Sequence, residues 1–171
     1  MIETVVRGLT VTLCPAELEW TRRVGERMAK RGQGLKPRYA AEYPGRFRET
    51  HIVGARSELT CAWVTGKLWL GRDTWKGADI EGTNWQVRWS KRAWKANQLD
   101  VDAGHIVVAV KGEAPTFTLV GWVFPRRVLT DRALRHTDKD TGEYYWLFDA
   151  TDIPRHGRLG KPPADYVTED R

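Results

Sequence analysis

Four side chains carry the spacing best suited to chemistry: Glu58, Asp79, Gln86 and Arg88. Gln86 and Arg88 stand two apart in Trp85-Gln86-Val87-Arg88-Trp89. The alternation there predicts a strand, which puts both side chains on one face. Asp79 precedes this segment across Gly82-Thr83-Asn84, a turn signal that brings it beside the strand as a hairpin partner. Glu58 sits at the margin of an apolar stripe, Ile52, Ala55, Leu59, Ala62 and Trp63, at helical spacing. His51 precedes it by two turns on the same side. Hydrolysis of a phosphodiester needs a divalent cation, an activated water and a cation on the phosphate. Oxygen donors suit Mg²⁺ or Mn²⁺. Glu58 and Asp79 are then the candidate metal ligands. Gln86 supplies an amide oxygen or holds a water. Arg88 contacts the scissile phosphate and, being always protonated, is no general base.

Each residue also has a plainer reading. Glu58 fits a solvated helix acid, Asp79 a turn residue, and Arg88 a surface strand residue or a partner of Glu58. A second placement pairs Asp102 with Ala109-Val110-Lys111; it has a lysine, but Ala109 cannot ligate a metal. Next to the first set, Lys91, Arg92 and Lys95 interleave with Trp89 and Trp94, as a phosphate-binding and base-stacking surface would. The alternative is a charged strand end whose aliphatic stems cover apolar surface. His105, His136 and His156 lack metal-ligand spacing and read as local hydrogen-bonding groups, and no Walker loop, GxGxxG or GxSxG is present.

The elements that must position these residues follow from pattern. Residues 3–13 read as an extended lead-in. Pro15 and Glu17 suit the first turn of a helix that ends near Gly32-Gln33-Gly34. The Gly- and Pro-rich stretch 32–50 reads as a long loop. A second helix is expected over 51–65. Strands are expected at 67–70, 85–89, 98–101, 105–111 and 117–123, the apolar run His105–Lys111 being central. Residues 125–146 read as basic and polar with a short helical piece, and 154–171 as a loosely structured tail. The order predicts one α/β (α+β) domain over 1–171, its core within about 12–150, with a mixed sheet and flanking helices.

Bulk properties agree with a globular chain. Lys and Arg number 28 against 22 Asp and Glu, a net charge of +6 that favours nucleic acid as partner. No apolar run approaches the roughly 18 residues of a membrane span, and the segment beginning Met1-Ile2-Glu3 does not read as a signal peptide. Cys14 and Cys61 stand outside any CxxC or Cys/His cluster and read as reduced, which points to the cytoplasm. Nine tryptophans are mostly expected in the core, with one or two available to stack on bases.

The order Glu58, Asp79, Gln86-x-Arg88 resembles the motif of the PD-(D/E)XK nuclease superfamily, with Gln86 for the usual acid and Arg88 for the usual lysine. Segments 53–63, 78–92 and 107–123, with the Gly/Pro-rich tail, resemble a group of small uncharacterised phage proteins. The nuclease resemblance implies a restriction-endonuclease-like core, Mg²⁺ or Mn²⁺ as cofactor, and metal-dependent hydrolysis of nucleic acid, DNA rather than RNA. The resemblance to the phage proteins implies a phage or mobile-element origin and, for a phage-encoded chain, the cytoplasm of a host bacterium. The departures at Gln86 and Arg88 imply the alternative: a non-catalytic module that keeps the fold and binds nucleic acid or a host protein.

Overall fold

The computed structural model describes residues 8–33, 37–71, 78–125, 135–138 and 142–153. The expected tail and all of 126–134 lie outside the described residues. Helix α1 runs Pro15–Gly32 and α3 runs Pro44–Thr65, with a short α2, Pro37–Glu42, between them. At the start of α1 the Cys14 N–H donates to Glu17 Oε2 at 2.7 Å, closing the first turn. Helix α3 stops at Gly66, whose φ of 62° only glycine adopts without strain. The buried hydroxyls of Ser57 and Thr60 donate to carbonyls four residues back, at 2.9 Å each, so the helix buries them satisfied. The two long helices lie antiparallel: Trp63 near the end of α3 donates its indole N–H to Glu17 near the start of α1. Where they cross, Gly25 meets the backbone of Ile52 so closely that a Cβ would lie 2.4 Å from the Ile52 Cα.

Two sheets stack beside the helix pair. The larger joins β1 (Thr10–Thr12), β5 (Thr116–Val123), β4 (Ile106–Glu113) and β2 (Trp85–Trp89) in that spatial order. It is mixed: β2 runs parallel to β4, while β5 is antiparallel to both β4 and β1. The smaller is antiparallel, in the order β3 (Ala93–Asn97), β7 (Tyr144–Asp149), β6 (Arg135–Thr137). A short helix, α4 (Gln98–Asp102), leads from β3 back to β4. Strand β4 is buried on both faces, which is why it reads as a continuous apolar run. Its Ile106, Val108 and Val110 join the core shared with Ala55, Leu59 and Ala62 of α3. Its Val107 and Ala109 join a second core with Trp94, Trp146 and Phe148 of the smaller sheet. The α+β class and mixed sheet match the expectation.

Several local readings differ. The loop expected over 32–50 holds α2 and the first turns of α3, because Pro37 and Pro44 each open a helix. Proline is tolerated at a first helical position, so the same residue marks a break or a start. Residues 98–102 are helical rather than extended: the Asp100 carboxylate accepts the Asn97 N–H at 2.8 Å and closes the first turn. Lys67–Leu70 forms no strand. Strands β3 and β7 escaped the pattern reading, since Tyr144–Asp149 carries apolar side chains on both of its faces.

Candidate functional site

Strand β2 is an edge strand, and Asp79 covers its outer edge. Asp79 donates its main-chain N–H to the Trp85 carbonyl at 2.8 Å. Its Oδ2 accepts the Val87 N–H at 2.6 Å. The turn that delivers it is pinned by Thr83, whose hydroxyl donates to the Ile80 carbonyl at 2.7 Å and accepts the Trp85 N–H at 3.1 Å. Gly82, at φ 69°, makes the reversal. The expected placement of Asp79 beside the strand is therefore realised locally.

Alternation along β2 then divides its side chains. Trp85 and Val87 belong to the core under the helices, and Trp89 packs against it. Gln86 and Arg88 face the other way, toward α4; Gln86 is in register with Val107 and Arg88 with Ala109, both members of the second core. Arg88 gathers the groups there. Its Nη1 donates to Gln86 Oε1 at 3.1 Å and lies 3.5 Å from Asp79 Oδ2. Its Nη2 lies 3.3 Å from Asp100 Oδ2 and 3.4 Å from Oδ1. Asp100 is 2% exposed, and His105 Nδ1 stands 3.2 Å from its Oδ1. One guanidinium thus spans two largely buried carboxylates. Burial pushes the Asp79 carboxyl up to about 6, while Arg88 and the Val87 N–H oppose that rise and the Asp100 charge adds to it.

Glu58 belongs to the opposite layer. It is buried at 7% exposure on α3, among residues of the helix-side core, and accepts the Trp69 indole N–H at 2.7 Å. Both Glu58 and Asp79 act on Cys61, whose thiol is pushed up by burial first and by these two negative charges. Glu58 therefore sits on the helix side of the larger sheet, the side that Trp85 and Val87 face, while Gln86 and Arg88 face α4. Of the expected four, Asp79, Gln86 and Arg88 are joined by direct contacts, and Glu58 takes the Trp69 indole as a partner. The residues that complete the group, Asp100 and His105, went unassigned to it from sequence. Their signal was the Asn97-Gln98-Leu99-Asp100 helix start just before the buried strand.

Both expected ligands of Mg²⁺ or Mn²⁺ already carry protein partners. Glu58 and Asp79, the expected Mg²⁺ or Mn²⁺ ligands, each spend an oxygen on a protein N–H, and Asp79 has Arg88 beside it. Among the described residues no group of three or more His, Cys, Asp or Glu is arranged to hold a metal. The proposed stacking surface also divides. Trp94 is 2% exposed and donates its indole N–H to the Val110 carbonyl at 2.9 Å. Trp89 is half-buried and donates to Gly112 at 2.8 Å. Lys91 pairs with Glu113, and Lys95 lies 3.1 Å from Asp138 Oδ2 and 4.2 Å from the Tyr145 ring centre. Arg92 is exposed. Both tryptophans are structural, because alternation in β2 and β3 turns them inward while the basic residues between them turn out.

No helix among the described residues is long and apolar enough to cross a membrane. No protein-family model matches this sequence, and neither a curated protein nor a solved structure matches it.

Proposed function

We propose that the chain binds nucleic acid without cleaving it, and that Asp79, Arg88 and Asp100 act as an internal brace. One observation carries this reading: the two outer nitrogens of Arg88 each face a protein carboxylate, at 3.5 Å and 3.3 Å. An arginine that steadies a scissile phosphate needs its fork open to the substrate. Here the same fork bonds to two acids and offsets part of the penalty of burying them. The brace ties the outer edge of β2 to α4, and so fixes the larger sheet against the smaller. The net charge of +6 supports phosphate contacts as the source of affinity.

Metal-dependent phosphodiester hydrolysis, the activity implied by the nuclease resemblance, is the rival reading. A single experiment separates the two. End-labelled single- and double-stranded DNA and RNA are incubated with the protein, with Mg²⁺, with Mn²⁺ or with chelator. The expected result is salt-sensitive binding that is indifferent to the metal, with intact strands throughout. Cleavage that requires the metal and disappears in Asp79→Asn would establish the rival.

A further inference from the structure

Residues 27–48 hold seven Lys and Arg and one acid, Glu42. That surplus of six equals the +6 of the whole chain, so the rest of the sequence is balanced. In the fold this stretch takes in the last third of α1, α2 and the start of α3, with Lys36 and the Arg38 side chain outside the described residues. Because the long helices run antiparallel, the end of α1 and the start of α3 lie side by side. Between them is a cavity of about 820 Å³. Its floor includes Ala29 and Phe47, both buried, and its rim includes Arg27, Lys30 and Arg48, all exposed. Phe47 is braced edge-on by His51, with ring centres 4.7 Å apart. Tyr43, 51% exposed, directly precedes Pro44, which lines the cavity. Arg27 also donates to the Gly71 carbonyl at 2.7 Å, which holds its guanidinium in place. One acid, Glu26, lines the cavity, and Arg48 and Arg22 hold its carboxyl below the usual range, so the pairing removes one positive charge from the rim.

We propose that this cleft between α1 and α3 is the binding site for single-stranded nucleic acid; the proposal rests on the nucleic-acid-binding reading above and gives it a location. A single strand presents phosphates and open base faces together. A cationic rim around an apolar, aromatic floor matches both. A duplex hides its base faces in the stack and has no use for the floor. Most of the cations are arginines, whose planar fork suits phosphate oxygens and whose face suits a base. An anionic membrane meets charge on a broad, flat face, and the exposed apolar side chains it would need, Trp63 and Leu68, lie at the opposite end of the helix pair.

The test is fluorescence anisotropy with a labelled oligothymidine strand and a duplex of equal length, across a salt series. Lys30, Arg31 and Arg46 are exposed, and their joint change to Ala spares the pairs of Arg27 and Arg48. This variant should stay folded and lose roughly tenfold or more in affinity for the strand. Its salt slope should fall by about 2, three lost contacts at about 0.7 each. Tyr43→Ala should cost roughly fivefold or more, the loss of one stacked base. Joint change of Lys91, Arg92 and Lys95 to Ala should leave affinity within about twofold. If that second triple variant loses binding and the first does not, the cleft is wrong while nucleic-acid binding stands. Tighter binding to the duplex than to the strand overturns the single-strand assignment. If wild-type protein binds neither nucleic acid, both proposals fall; phosphatidylserine vesicles that bind wild type but not the first triple variant would then assign the cleft to a membrane surface.

Discussion

Two regions of this molecule concentrate charge, and they use it in opposite ways. On the inner face of β2, Arg88 is turned toward Asp79 and Asp100, and His105 closes on Asp100. One cation there faces two carboxylates, under a covering that leaves Asp100 2% exposed. At the α1–α3 cleft, cations line a rim open to solvent around a single acid that is already paired. The first arrangement spends its electrostatics on holding the fold. The second leaves a positive surplus exposed to solvent, the kind of surface that attracts polyanions. Acid and base residues at suggestive spacing are therefore weak evidence of chemistry until their partners are known, whereas a local excess of one sign points outward.

The comparison breaks most visibly at Arg88. Arg88→Ala leaves two largely buried carboxylates without their shared cation, and the expected loss is about 3 kcal/mol of stability, the lower end for a broken buried pair because Arg88 keeps some exposure. Denaturant unfolding of wild type and variant measures it. A loss below about 0.5 kcal/mol, the range of ordinary surface changes, would mean the brace bears no weight. At the other region, Gly25→Ala forces α1 and α3 apart at their crossing, because its Cβ would lie 2.4 Å from the Ile52 Cα. The expected cost is about 1–3 kcal/mol, accompanied by weaker oligonucleotide binding as the cleft changes shape.

A smaller effect sharpens the account of Asp79. Its carboxyl in the fold titrates at about 6, above the ordinary value of 3.8. Between those two values the native state binds a proton that the unfolded chain has released. Stability therefore falls as pH rises from about 4 to about 6, then levels off as far as this group is concerned. Asp79→Asn keeps an oxygen for the Val87 N–H and should remove that part of the slope. Unfolding midpoints at several pH values check it, and an unchanged slope in the variant would put the titration elsewhere. The smallest effect belongs to Lys91, Arg92 and Lys95: their joint change to Ala should shift stability by less than about 0.5 kcal/mol, since they are surface groups with screened partners.

Much of the local framework was legible in the sequence, for physical reasons. The alternation Trp85-Gln86-Val87-Arg88-Trp89 records one face against the helices and one against α4, and β2 follows it. Gly82-Thr83-Asn84 announced the turn that returns Asp79 to the strand edge. Other features were not legible. A helical stripe locates Glu58 relative to its own helix but does not tell which partner it takes, here the Trp69 indole. The contact of Asp100 with Arg88 is non-local and depends on α4, which read as a strand. The tryptophans at 89 and 94 looked available beside their basic neighbours because charge is visible in sequence and side-chain direction is not.

The most direct test of the central claim is the affinity of Arg88→Met for a single-stranded oligonucleotide at moderate salt, measured on protein shown to be folded by circular dichroism. Met keeps an unbranched stem and removes only the charged fork. If Arg88 is an internal brace, the dissociation constant stays within about twofold of wild type while the midpoint of unfolding drops. A loss of affinity near tenfold, the size expected when a phosphate contact is removed from a binding surface, would place Arg88 on the nucleic acid and contradict the account.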